Sequence, residues 1–263
     1  EPRGYYGLYA IKSHNIYKYS QNLNDNSNNN NYIVTFLLSK IAKQNKNYEL
    51  ELKYLNTFQK QCFKSRNDFN VQGLFYYNKI ISKYYNRINF SNYRFEDKNL
   101  SKVSPIFIIG LPRSGSTLIE TMINNTDYNI VSLGETHVFN TEIINLIKNQ
   151  IFKKNFEIKK YSLDLDLKQL SKKIIDRYKD YFSKNDKDII FVDKSLENFF
   201  NIDVILKVYP NAKFINCRRN YNDNAIAIYQ SMLPELPWAH TISDILEYID
   251  NYIKIMNFYE KKF

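Results

Sequence analysis

Residues 105–121 (PIFIIGLPRSGSTLIET) bring together the side chains of this chain best suited to chemistry. Gly110 and Gly115 bracket a turn that holds Arg113, and Ser114, Ser116 and Thr117 add three hydroxyls. The apolar run 106–109 reads as a buried parallel strand, and an apolar pattern of helical spacing begins at Leu118. A strand, a glycine turn and a helix start make an anion site, because first-turn amides lack intrahelical acceptors and the helix dipole is positive there. The glycine spacing is that of loops that bind nucleoside triphosphates, yet Ser116 stands where such loops carry their lysine. Charge comes instead from Arg113, whose guanidinium can hold an oxyanion through two parallel hydrogen bonds. The pattern therefore predicts a turn for phosphate or sulfate that is not built for the β/γ-phosphates and Mg²⁺ of ATP.

The elements that must position this turn alternate in type. Strand 105–110 and helix 115–125 are followed by a short strand at 130–133, which leads into Gly134-Glu135. Helices are expected at 139–153 and 166–183, and strand 188–192 ends at Asp193-Lys194. Helix 197–208 leads to strand 212–217 and Arg218-Arg219; helix 222–232, a loop with Pro234, Pro237 and Trp238, and helix 243–259 complete the chain. This order predicts an α/β fold: a three-layer, P-loop-type parallel sheet flanked by helices, with an N-terminal all-helical segment. Ligands of such sheets sit at the carboxyl ends of the strands. The glycine turn and the dipeptides 134–135, 193–194 and 218–219 all fall there.

The first hundred residues differ in character. Residues 1–31, with the polar tract 21–31, read as poorly ordered and of low complexity. Helices at 32–43 and 47–64 should form an antiparallel pair the size of one tetratricopeptide repeat. A third helix is expected at 70–86, and polar residues 89–104 read as a linker. The expected division is thus a poorly ordered stretch at 1–31, a helical, tetratricopeptide-like segment at 32–100 and an α/β domain at 101–263.

With 263 residues, 44% of them hydrophobic, the chain can bury a sizeable core. Its net charge of +10 favours an anionic ligand. The lysines are scattered over polar neighbours and no nucleic-acid module is visible, so nucleic acid is not an expected partner. Cys62 and Cys217 are far apart and suggest neither a disulfide scaffold nor a zinc site, which fits a reducing, cytoplasmic setting. No apolar run approaches the roughly 20 residues needed to span a bilayer.

The segment GLPRSGSTLIE resembles the phosphosulfate loop of sulfotransferases, above all the bacterial type in which tetratricopeptide-like helices precede the catalytic domain; tyrosylprotein sulfotransferases share it. The resemblance continues through Gly134-Glu135-Thr136, Asp193-Lys194-Ser195 and the segment 209–219 (YPNAKFINCRR). It implies 3′-phosphoadenosine 5′-phosphosulfate as donor, a hydroxyl or amine acceptor, and no metal. Arg113, Ser114, Gly115, Ser116 and Thr117 would cradle the phosphosulfate, and Arg219 would bind the 3′-phosphate, with Arg218 as its neighbouring alternative. Glu135 would be the general base that withdraws the acceptor's proton, and His137, two residues on, is a competing base or substrate-orienting group on the same strand face. Lys194 would contact the bridging oxygen and offset charge on the leaving phosphate; Asp193 would hold that lysine or cap the next helix, and Asn198 falls on a family position for hydrogen bonding. Trp238, His240 and Tyr221 are candidates either for an acceptor cleft or for structural packing under the proline-rich loop.

Two positions depart from the family pattern: Ala227 replaces a serine that binds the 3′-phosphate, and Asn220 replaces an aspartate. The chain is also expected to lack the family's C-terminal portion, and its N-terminal helices are candidates for protein contacts. Competing readings are a degenerate, non-catalytic binding module and a kinase-like phosphotransferase. The missing loop lysine argues against the latter.

Overall fold

A computed structural model describes residues 31–85, 88–90, 104–151, 163–181 and 190–263. The expectations for 1–30, for the linker residues 91–103, and for positions 152–153, 182–183 and 188–189 lie outside the described residues. The chain divides into two compact units, one comprising residues up to Phe75 with Ala225–Leu246, the other Tyr76–Asn224 with Glu247–Phe263.

In the first unit, helices α1 (Tyr32–Gln44) and α2 (Tyr48–Ser65) form the expected pair. Each starts on an asparagine cap, with Asn31 accepting from the Ile33 amide and Asn47 from the Leu50 amide. Their antiparallel sense is fixed by Thr35 near the start of α1 donating to Gln61 near the end of α2. Phe36, Leu55, Phe58 and Cys62 make a buried cluster that Tyr229 and Met232 close. Helix α3 (Asn67–Phe75) follows.

The second unit opens with a π-helical stretch, Tyr76–Ile81, and one last helical turn, Ser82–Tyr84. The single helix expected at 70–86 is therefore three pieces beginning at Asn67. Strand β1 (Ile88–Phe90) pairs in parallel with β4 (Leu163–Leu165), so the expected linker 89–104 begins inside a strand. Three-residue strands that pair 75 positions apart carry no local periodicity, and sequence pattern does not show them.

The main sheet contains β2 (Ile106–Gly110), β3 (Ile130–Ser132), β5 (Ile190–Asp193) and β6 (Lys213–Cys217), all parallel in the order β3-β5-β2-β6. Side chains alternate across it as the pleat demands. On one face Ile108, Val192 and Cys217 pack with Ile119 and Ile123 of α5 (Ser116–Asn124). On the other, Phe107 and Phe191 meet Phe139 of α6 (Val138–Ile151), Tyr178 of α7 (Leu167–Lys179) and Tyr209. Helices thus cover both faces, giving the three layers expected. The helix expected at 197–208 begins as a 3₁₀ helix, Leu196–Asn201, and becomes α8 (Ile202–Val208). Helix α9 (Tyr221–Tyr229) and the long α10 (Ile242–Lys262) complete the chain. Among the described residues no helix is long and apolar enough to cross a membrane.

Candidate functional site

The turn after β2 is held open by backbone geometry that few residues tolerate. Gly110 has φ 140°, and a Cβ there would lie 2.5 Å from the Cys217 carbonyl oxygen on the neighbouring strand. Gly115 has φ 95° with nothing within 4 Å of a would-be Cβ, so its outer side is open. Arg113 also sits in the left-handed region, at φ 66°. A non-glycine residue rarely rests there without a reason. Here the conformation belongs to the curl of the chain between β2 and α5. The loop is tied down on its outside: Asn224 Nδ2 donates to the Pro112 carbonyl at 2.6 Å, and Arg219 Nη1 to the Arg113 carbonyl at 3.2 Å.

Inside, the polar groups are unspent. Helix α5 starts with Gly115 as its N-cap residue and no side chain caps it; the Leu118 amide turns back to the Gly115 carbonyl at 3.0 Å, which leaves the Ser116 and Thr117 amides for another acceptor. The Ser114 hydroxyl is buried without a hydrogen-bond partner among the described residues. Arg113, Ser114, Gly115, Ser116, Thr117 and Arg219 line one cleft of about 350 Å³. All six residues expected to bind the anionic donor are thus brought together. A polyanion fits this donor set, since amides, hydroxyls and two guanidinium groups converge on it with no carboxylate among the lining residues.

Glu135 and Lys194 are not among those lining residues, but they meet each other. The Lys194 amide donates to the Gly134 carbonyl at 2.8 Å, joining the end of β5 to the segment after β3. Lys194 Nζ lies 2.6 Å from Glu135 Oε1 and 3.6 Å from Glu120 Oε2. The lysine side chain is 8% exposed and the Glu135 side chain 54% exposed, so a solvent-facing carboxylate sits on a withdrawn ammonium. Gly134, at φ 66°, makes the bend that turns Glu135 toward it.

Asp193 does not hold the Lys194 ammonium. It is fully buried and accepts from the Ser195 amide at 2.7 Å, the Tyr178 hydroxyl at 2.6 Å and the Thr136 hydroxyl. Burial pushes its carboxyl up while the Ser195 and Thr136 donors oppose that shift, and burial with the neighbouring Asp193 charge pushes the Tyr178 phenol up. Asp193 is therefore the fastener between β5, α7 and the residue following Glu135.

His137 departs from expectation. It does not share a strand face with Glu135, because β3 ends at Ser132 and His137 itself has φ 54°. Its amide donates to Ser195 Oγ at 2.8 Å and its ring Nδ1 pairs with Glu197. That hydrogen bond raises the imidazole pKa, against burial. Arg218 pairs with Glu260 on α10, which leaves Arg219 as the arginine of the cleft. Asn220 caps α9, accepting from the Asn222 and Asp223 amides, a role an aspartate would also fill. The Asn198 side chain is buried and its amide group makes no hydrogen bond among the described residues. Trp238 and His240 are interior residues of the first unit, not cleft surface: the His240 ring meets Gln59 at 2.8 Å and the edge of Phe63. Tyr221 packs edge-on against Tyr252.

Sequence reasoning missed Glu120, Ser132 and Glu197 as members of this neighbourhood. Glu120 stands inside the quoted loop segment, four residues after Ser116 and so on the same side of α5; that spacing was its available signal. Glu197 carried none.

The chain matches the Sulfotransferase family over residues 105–262. A similar protein is an uncharacterized protein of Aquifex aeolicus (strain VF5), 35% identical over 130 residues, which cover 48% of this chain and 17% of that relative. The chain thus spans under a fifth of the length of that relative. No solved structure matches significantly.

Proposed function

Because the chain belongs to the sulfotransferase family, we propose that it transfers a sulfuryl group from 3′-phosphoadenosine 5′-phosphosulfate to a hydroxyl or amine acceptor. The observation that carries this reading is the cleft of unspent donors at 113–117 with Arg219, which has amides and guanidinium charge but no loop lysine. The donor supplies an activated sulfuryl group whose bond to phosphate is the one broken. Arg113, the Ser114 hydroxyl and the first-turn amides of α5 hold the phosphosulfate, and Arg219 holds the 3′-phosphate. Glu135 accepts the acceptor's proton as the new S–O bond forms, and the electron pair of the broken bond leaves with the nucleotide bisphosphate. Lys194 neutralises that developing charge. To act so, its ammonium exchanges the Glu135 carboxylate for the leaving oxygen, and the acceptor hydroxyl takes its place at Glu135. Asp193 keeps both partners in register through Ser195 and Thr136.

A ³⁵S-labelled donor offered with phenolic, peptide, glycan and amine acceptors tests the proposal, with slow transfer to water as the acceptor-free readout. Thermal shift with 3′,5′-adenosine bisphosphate, compared with Mg²⁺–ATP, tests the nucleotide class. Stabilisation by Mg²⁺–ATP alone would favour the kinase-like alternative.

A further inference from the structure

Lys194 has two carboxylate neighbours, and the proposed chemistry uses one of them. Glu120 extends from α5 one turn beyond the anion cleft, with 14% of its side chain exposed. Its Oε1 accepts from the Ser132 hydroxyl at 2.7 Å, which aims its Oε2 at the ammonium 3.6 Å away. We infer that Glu120 is a positioning residue for Lys194, with Ser132 setting its orientation; this rests on the roles given above to Lys194 and Glu135.

An ammonium withdrawn from water needs a counter-charge close by. Before reaction the cluster holds one ammonium and two carboxylates. Once Glu135 has taken the acceptor's proton it is neutral, and without Glu120 the lysine would be left with no close anion of the protein. Glu120 keeps it compensated throughout the step. It also gives Lys194 a second anchor when the ammonium leaves Glu135 for the leaving oxygen. Because α5 begins at the cleft, the same helix sets the first-turn amides and Glu120 at a fixed separation of one turn. Glu120 needs no contact with the donor or acceptor to act.

The test uses Glu120→Gln, Glu120→Asp, Ser132→Ala, Lys194→Ala and the double variant Glu120→Gln/Lys194→Ala in the intact protein. Cleavage of ³⁵S-labelled donor is measured beside calorimetric binding of 3′,5′-adenosine bisphosphate and the rate of Lys194 acylation by an amine-reactive ester, read by mass spectrometry. Glu120→Gln should slow cleavage roughly tenfold to a hundredfold, leave nucleotide affinity within about twofold and speed acylation of Lys194 as its anchor is lost. Glu120→Asp should recover part of the rate, and Ser132→Ala should show a smaller loss in the same direction even if Glu120→Gln folds poorly. In the Lys194→Ala background, Glu120→Gln should cost nothing further. An equal loss in both backgrounds, or a loss of nucleotide affinity matching the loss of rate, overturns the inference. Full cleavage by Lys194→Ala overturns the reading beneath it as well, whereas loss in Lys194→Ala with none in Glu120→Gln or Ser132→Ala overturns this inference alone.

Discussion

Two strand ends of the same sheet spend their polar groups in opposite ways. At the end of β5, Asp193 is saturated by the Ser195 amide, Tyr178 and Thr136, and Lys194 lies between two carboxylates. At the end of β2, Ser114 has no partner among the described residues, α5 has no side-chain cap and Arg113 turns its carbonyl to Arg219. The first end satisfies its own polar groups. The second is incomplete alone, and buried polar groups without partners are costly. In an interior such a deficit would be a defect; in a cleft lined by Arg113 and Arg219 it suits an anionic ligand. On the proposed function, binding and chemistry draw on neighbouring strands with different needs: one waits unpaired, the other is fixed by its own contacts.

Substitutions at the two ends should fail differently. The largest effect is expected from Glu135→Ala, which should lower sulfuryl transfer by about 10²–10⁴-fold while calorimetry finds 3′,5′-adenosine bisphosphate bound as before. Equal turnover in this variant would remove the carboxylate from the mechanism. Next is Asp193→Ala, which strands three donors and should cost about 3–5 kcal/mol of stability, seen as a lower Tm with or without nucleotide. Arg113→Ala should do the reverse, leaving Tm without ligand nearly unchanged while weakening nucleotide binding by about 1.5–3 kcal/mol. If Arg113→Ala destabilised the free protein as much as Asp193→Ala, the contrast between an open and a satisfied end would be lost.

The histidines extend the contrast to pH. Burial lowers the pKa of His240 from the ordinary 6.5 to about 4, so the folded chain holds fewer protons there than the unfolded chain between those values. Its contribution therefore falls as pH drops from 6.5 toward 4 and is flat below. For this buried ring the loss over that span should be about 3 kcal/mol. His137 has the opposite sign. Its pKa is raised by Glu197, so its contribution is complete below 6.5 and fades as pH rises through the folded value. Denaturant unfolding of His240→Leu and His137→Gln across pH 4–8 should flatten the acid slope in the first and the neutral-pH slope in the second; one slope unchanged in both would refute the assignment.

Much of the second unit was legible because its signals are local. The run 106–109, the glycine spacing and the apolar spacing after Leu118 each report a conformation that neighbouring residues impose, and strand, turn and helix appeared where those signals fell. The alternation of strands with helices gave the parallel sheet for the same reason. Pairings between segments distant in sequence were not legible. Nothing near residue 88 announces residue 163, so β1 and β4 were missed, and nothing near His137 announces Glu197. His137 illustrates the reason: alternation along a strand predicts its direction only while the strand lasts, and β3 stops at Ser132.

The amino-acid order by itself determined which residues could meet an anion and at which strand ends they would stand, since backbone sterics and side-chain period act over a few positions. Only the tertiary structure decided which donors remained unspent. Among the described residues Ser114 is left without a partner, Arg218 is taken by Glu260 and Lys194 is shared by Glu120 and Glu135, because pairing depends on distance in space. That distance is fixed when parallel strands and the helices between them pack, not by separation along the chain.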